Sequence, residues 1–109
     1  MRNLNSLILE GNLASDPLYT PGTSTAPDAA RFLLDAGTDV PAMPVIAYSR
    51  LAVTVREHLR TGSAIRIVGR LGIDASLDAM TPIVIVAEHV EIKPVRSAEA
   101  RAYAEEAAS

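Results

Sequence analysis

The chain has no cysteine. That excludes disulfides and thiolate metal sites, and nothing points to an oxidising compartment. No apolar run approaches the ~20 residues of a membrane span. The N-terminal stretch MRNLNSLILEGN is too short in its apolar part for a secretory signal, and Glu10 interrupts it. A soluble, cytoplasmic protein without a membrane partner is expected. Catalytic signatures are missing too. His58 and His89 are the only histidines, and no pairing of His, Asp or Glu has a zinc-site spacing. Glu88 and His89 are neighbours, and neighbours on a strand face opposite ways. No serine sits in a G-x-S-x-G elbow. The GRLG at Gly69–Gly72 lacks the lysine and spacing of a phosphate loop. The expectation is a non-enzyme with no cofactor and no small-molecule substrate.

What is present suits one domain. The 109 residues can bury roughly two-thirds of their unfolded surface. An apolar content of 49% argues against general disorder. The net charge of −3 hides a gradient. Residues 1–49 sum to −3 and residues 71–109 to −4. Residues 50–70 carry Arg50, Arg56, Arg60, Arg66 and Arg70 against Glu57 alone, a sum of +4. A polyanion would have to meet this middle. The plainer reading is a solvated helix face with an ordinary mixture of charges.

The stretch Tyr48–Leu71 organises the rest. It reads as a strand end, an amphipathic helix and a second strand. The Ser49 hydroxyl is expected to cap the helix. Leu51, Val55 and Leu59 make one apolar stripe, and Gly62 supplies the left-handed residue of a helix end. Ile65, Ile67 and Gly69 then alternate with Arg66, Val68 and Arg70, the period of a strand. Upstream, Asn5–Leu13 is a strand in which Gly11 marks a bend, so that one strand could serve two sheets of a small barrel. Ser15-Asp16-Pro17 breaks it. Tyr19–Pro27 is turn and loop chemistry around Pro-Gly. Ala29–Ala36 has residues that also suit a helix, but its length and flanking breakers favour a strand. Gly37–Pro44 is read as a loop, because two prolines oppose a central strand. Val45–Tyr48 is a short strand. Downstream, Gly72–Thr81 is a connection and Pro82–Ile92 a strand whose Ile83–Val86 run suggests burial on both faces. Residues 95–109 form a helical or flexible tail, beyond a domain of residues 1–94. Five strands with one helix between the third and fourth give an all-β fold, the five-stranded Greek-key OB-fold barrel.

The residues also resemble a known family. LNSLILEGNLASDP, Tyr48-Ser49-Arg50-Leu51-Ala52, His58–Ser63, Ile67–Leu71 and Val84–Glu91 resemble, in order and spacing, segments of bacterial single-stranded DNA-binding proteins (SSB). The second of these matches an aromatic-Gly-basic-Leu-Ala junction, with Ser49 where the family has glycine. The match covers roughly residues 3–93. It implies an OB-fold homo-oligomer, a tetramer or else a dimer, that binds single-stranded DNA in replication, repair or recombination. Members stack bases on aromatic rings at about 1–3 kcal/mol each. Here Tyr48 holds one aromatic position. The others fall near Ala42, near Thr38–Val40 and near Ser76, and none is aromatic. There is no tryptophan, and the only phenylalanine, Phe32, is expected in the core. The family's acidic, Phe-terminated tip is absent from a sequence ending AEEAAS.

The resemblance therefore implies a divergent member of reduced affinity and little sequence preference. Tyr48 would stack, and Arg31, Arg50, Arg66 and Arg70 would meet phosphates. Arg56 and Arg60 suit that role less, since a barrel-plugging helix turns its polar face away from the groove. The alternative for Tyr48 is a half-buried strand-end residue with a solvated hydroxyl. The alternative for the whole chain is an SSB-like scaffold that has dropped DNA binding and acts through protein–protein assembly. The acidic loops, with Asp35, Asp39, Asp74 and Asp78, favour that alternative.

Overall fold

The computed structural model describes residues 4–74 and 82–93. Six strands and one helix run in the order β1 (Leu7–Leu13), β2 (Leu18–Thr20), β3 (Ala29–Asp35), β4 (Met43–Tyr48), α1 (Ser49–His58), β5 (Ala64–Ile73) and β6 (Ile83–Ile92). The sheet order is β1-β5-β6-β4-β3-β2, and β1 also pairs with β3. That extra pairing closes β1, β5, β6, β4 and β3 into a five-stranded barrel. All pairings are antiparallel except β4 with β6. With the helix between β4 and β5, this is the expected OB-fold. β2 is an additional short strand on the outer side of β3.

Closure depends on β1. Residues 7–12 pair with β5, while Asn12 and Leu13 pair with β3. Gly11 sits where the strand changes partners. A Cβ there would lie 2.2 Å from the Asp35 carbonyl oxygen, so only glycine lets β3 approach. The bend expected at Gly11 is this crossing. Inside the barrel, Phe32, Leu34, Val45, Ile65, Ile67 and Ile85 are buried, each spaced by the strand period from its outward neighbours. The helix covers one end of the barrel with Ala52 and Val55, joined by Leu59 just past its last turn.

Several local expectations change. Leu18–Thr20 is a strand, although loop chemistry was read from Tyr19 onward. β4 begins at Met43, so Pro44 lies inside a strand. Its missing N–H costs nothing there. Leu33, opposite Pro44, turns its backbone away, its N–H to Ser15 Oγ (3.0 Å) and its carbonyl to the Ala14 N–H (2.7 Å). On the other side of β4, pairing with β6 starts only at Val45. β5 runs on to Ile73 through the expected connection. In β6, Val84–Ala87 are buried, but Ile83 is exposed. Ile85 and Ala87 enter the barrel core. Val84 and Val86 join Ala29 and Ile46 in a second cluster on the outer face.

The helix ends also differ. Tyr48 is the N-cap, and no side chain caps the helix. Ser49 has φ +57, in the left-handed region that L-residues occupy at a cost. Its N–H donates to the Asp28 carbonyl (2.9 Å). The helix stops at His58 with Leu59 extended, and the left-handed Gly62 (φ +92) serves the following turn into β5. The expected tail at 95–109, including Tyr103, lies outside the described residues, as do Ser76 and Asp78. Among the described residues, no helix is long and apolar enough to cross a membrane.

Candidate nucleic-acid interface

Alternation decides which side chains share the outer face. In β3, Ala30 and Phe32 point into the core, so Arg31 points out. Arg31 pairs with Leu18 of β2 on one side and Ile46 of β4 on the other. Ile46 pairs with Val86, and Val86 with Arg70 of β5. One row across the barrel wall therefore reads Leu18, Arg31, Ile46, Val86, Arg70. At ~4.8 Å per strand, the Arg31 and Arg70 backbones stand roughly 14 Å apart. Tyr48 lies two residues beyond Ile46 on the same face, opposite Ala29, and is 37% exposed. Arg50 follows at once, in the first turn of the helix. The fold thus brings Tyr48, Arg31 and Arg70 to one surface and places Arg50 at its end.

The five positions are not electrostatically alike. Arg31 Nε donates to Asp74 Oδ2 (2.7 Å), with Nη2 at 3.5 Å from Oδ1. The arginine side chain is 29% exposed and the aspartate 6%. The hydrogen bond to Asp74 raises the Arg31 pKa further, against the opposing effect of burial. Its charge is therefore largely spent on Asp74. Arg66 lies on β5 between Glu10 of β1 (3.5 Å) and Glu91 of β6 (3.7 Å). Glu10 also pairs with Lys93. The Lys93 hydrogen bond, with the Lys93 and Arg66 charges, lowers the Glu10 pKa. Arg50 and Arg70 are exposed and make no ion pair among the described residues. They are the cations of the predicted set open to a phosphate.

The other helix arginines are placed elsewhere. The Arg56 guanidinium sits 4.3 Å from the Tyr19 ring centroid, a cation–π contact that ties the helix to β2. Asp28 accepts from the Tyr19 hydroxyl and the Gly22 N–H, and these bonds lower its pKa. Tyr19 is thus a strut of the fold and not a free ring. Thr61 donates its N–H (2.9 Å) and its hydroxyl (2.8 Å) to Asp16, which lowers the Asp16 pKa.

Asp74 is the residue whose part was missed. Its partner is 43 positions away, and no local pattern announces such a pair. Ala42 and residues 38–40 lie in the loop before β4 or at its edge, without an aromatic ring.

No protein-family model matches the sequence, and no curated protein matches it. Solved structures do. The SSB domain of a Synechococcus sp. protein is similar with a TM-score of 0.69, at 15% identity, over 84% of this chain and 98% of that one. Wild-type single-stranded DNA-binding protein from Thermus aquaticus is similar with a TM-score of 0.68, at 27% identity, over 90% of this chain. The chain's structural neighbours are SSB domains, which supports its membership of the SSB family. A deletion mutant of the Thermus aquaticus protein gives a TM-score of 0.70 at 27% identity over 84% of this chain. The chain spans 46% and 42% of the length of these two Thermus aquaticus chains. The SSB barrel and the placement of Tyr48 at the β4–α1 junction are what the sequence resemblance implied.

Proposed function

We propose that this chain binds single-stranded DNA with little sequence preference and more weakly than an SSB with a full set of aromatic platforms. The observation that carries the reading is the shared outer face, where Tyr48 is half-exposed, with Arg70 on it and Arg50 at its end making no ion pair among the described residues. The SSB-domain neighbours support it. Tyr48 would stack one base for about 1–3 kcal/mol, while Arg50 and Arg70 neutralise phosphates. Arg31 and Arg66 would contribute through their positions and spare N–H groups more than through net charge. The reading extends to a role in replication, repair or recombination in the cytoplasm. It also extends to a homo-oligomer, since Leu4, Ile8, Ile73 and Ile83 are exposed apolar residues. Fluorescence anisotropy with a dT oligomer tests it. Binding at low salt is expected, and a Tyr48→Ala/Arg70→Ala pair should weaken it at least tenfold, as loss of a stacked base implies.

One observation favours a second reading. Two of the four predicted phosphate contacts, Arg31 and Arg66, already hold carboxylates. A scaffold acting only through protein assembly would tolerate that. On this reading the same double variant changes neither DNA retention nor oligomer size.

A further inference from the structure

Beside the row of residues just described lies an apolar groove of ≈ 210 Å³. Leu18, Leu33, Pro44, Ile46 and Val84 form its apolar surface, and the Arg31–Asp74 pair forms its polar wall. Leu18 and Leu33 are 67% and 42% exposed, so the rim is open. The groove belongs to the same barrel face as Tyr48 and shares Leu18, Arg31 and Ile46 with the row that ends at Arg70.

We propose that this groove takes one unstacked pyrimidine base of single-stranded DNA, with the Arg31 guanidinium donating to its carbonyl edge. The inference rests on the DNA-binding reading above. Three features choose this occupant. The first is size, since the groove falls below the roughly 300–1,000 Å³ of drug-sized sites and suits a one-ring base. The second is donor chemistry. A guanidinium has five N–H donors, and Asp74 engages Nε and Nη2. The two N–H groups of Nη1 have no partner among the described residues. Every pyrimidine of DNA presents a C2 carbonyl oxygen that can accept from them. The third is charge. Because Asp74 balances Arg31, the wall offers directed donors without the net positive charge that would select a phosphate. Insertion between leucine, proline and valine side chains then supplies apolar contact that the missing rings do not. Tyr48 and Arg70, on the same face, would hold the flanking nucleotide and phosphate.

The test uses the full chain and two probes of equal length, a dT oligomer and an abasic oligomer with the same phosphate count. Leu18→Asp and Leu33→Asp are made separately at these exposed positions, with circular dichroism confirming the fold. Each is expected to weaken dT binding about tenfold, the loss of one base contact near 1.4 kcal/mol. Binding of the abasic oligomer should stay within about twofold. A single 4-thiothymidine should photocrosslink to the β3–β4 peptide containing Leu33 and Pro44. If the wild type binds dT but the variants weaken both probes equally, or neither, the groove inference is overturned while the DNA reading stands. If the wild type binds neither probe, both fail.

Discussion

Replacing Ser49 by glycine should stabilise this protein, and replacing it by alanine should do almost nothing. Ser49 has φ +57 and opens the helix without any side-chain cap. A left-handed L-residue costs roughly 1–2 kcal/mol. Glycine removes that cost but loses more backbone freedom on folding, roughly 0.5–1 kcal/mol. The net gain is about 0.5–1 kcal/mol. For a domain of this size it raises Tm by about 2–6 °C. Alanine keeps the left-handed cost and deletes no hydrogen bond the structure shows, so its change should stay within about 0.5 kcal/mol. The capping role first expected from the sequence predicts a loss with either residue. A lost serine cap costs about 1 kcal/mol with alanine and only a few tenths with glycine. Thermal unfolding followed by circular dichroism separates the two. A Tm drop of about 5 °C in Ser49→Ala, or any drop in Ser49→Gly, refutes the left-handed account.

Gly11→Ala should be among the most damaging substitutions, since its Cβ would meet the Asp35 carbonyl at 2.2 Å. A loss of about 2–3 kcal/mol in urea unfolding is expected, and a loss below about 0.5 kcal/mol would show that β1 and β3 are not in register. Asp74→Asn weakens a partly solvated pair with Arg31. It should cost about 1–2 kcal/mol, less than the 3–5 of a fully buried pair, read by the same assay. Asp16 has a folded-state pKa below its ordinary 3.8, held there by Thr61. Its contribution is therefore present above that value and lost as pH falls through the lower folded pKa. Asp16→Asn should flatten the acid limb of the stability profile below pH 4 and leave the slope near neutrality unchanged. In DNA titrations, Arg50→Ala and Arg70→Ala should each reduce the log–log salt slope by about 0.7, one phosphate apiece, whereas Arg66→Ala should change it much less.

The local patterns that set single elements were readable in advance. Leu51, Val55 and Leu59 placed the helix, the Ile65–Arg70 alternation placed β5, and Gly11 announced the strand shared by two parts of the barrel. What escaped notice depends on distant neighbours. Leu18–Thr20 becomes a strand because β3 offers an edge, against its flanking prolines. Pro44 sits in a strand because the Leu33 backbone faces Ser15 and Ala14 instead. Ser49 takes a glycine-like conformation because the β4–α1 junction demands it. The candidate site divides in the same way. Tyr48, Arg50 and Arg70 stand exposed where their pattern put them. The acidic partners of Arg66 come from the neighbouring strands β1 and β6, and that of Arg31 from just past the end of β5, brought there only by tertiary pairing.

The central claim is that unpaired nucleotides lie on the barrel face of Tyr48 and Arg70. An electrophoretic shift comparing single- and double-stranded oligomers of one sequence, at low salt, tests it most directly. The single strand should shift at protein concentrations that leave the duplex unmoved. Equal retention of both, or of neither, contradicts it.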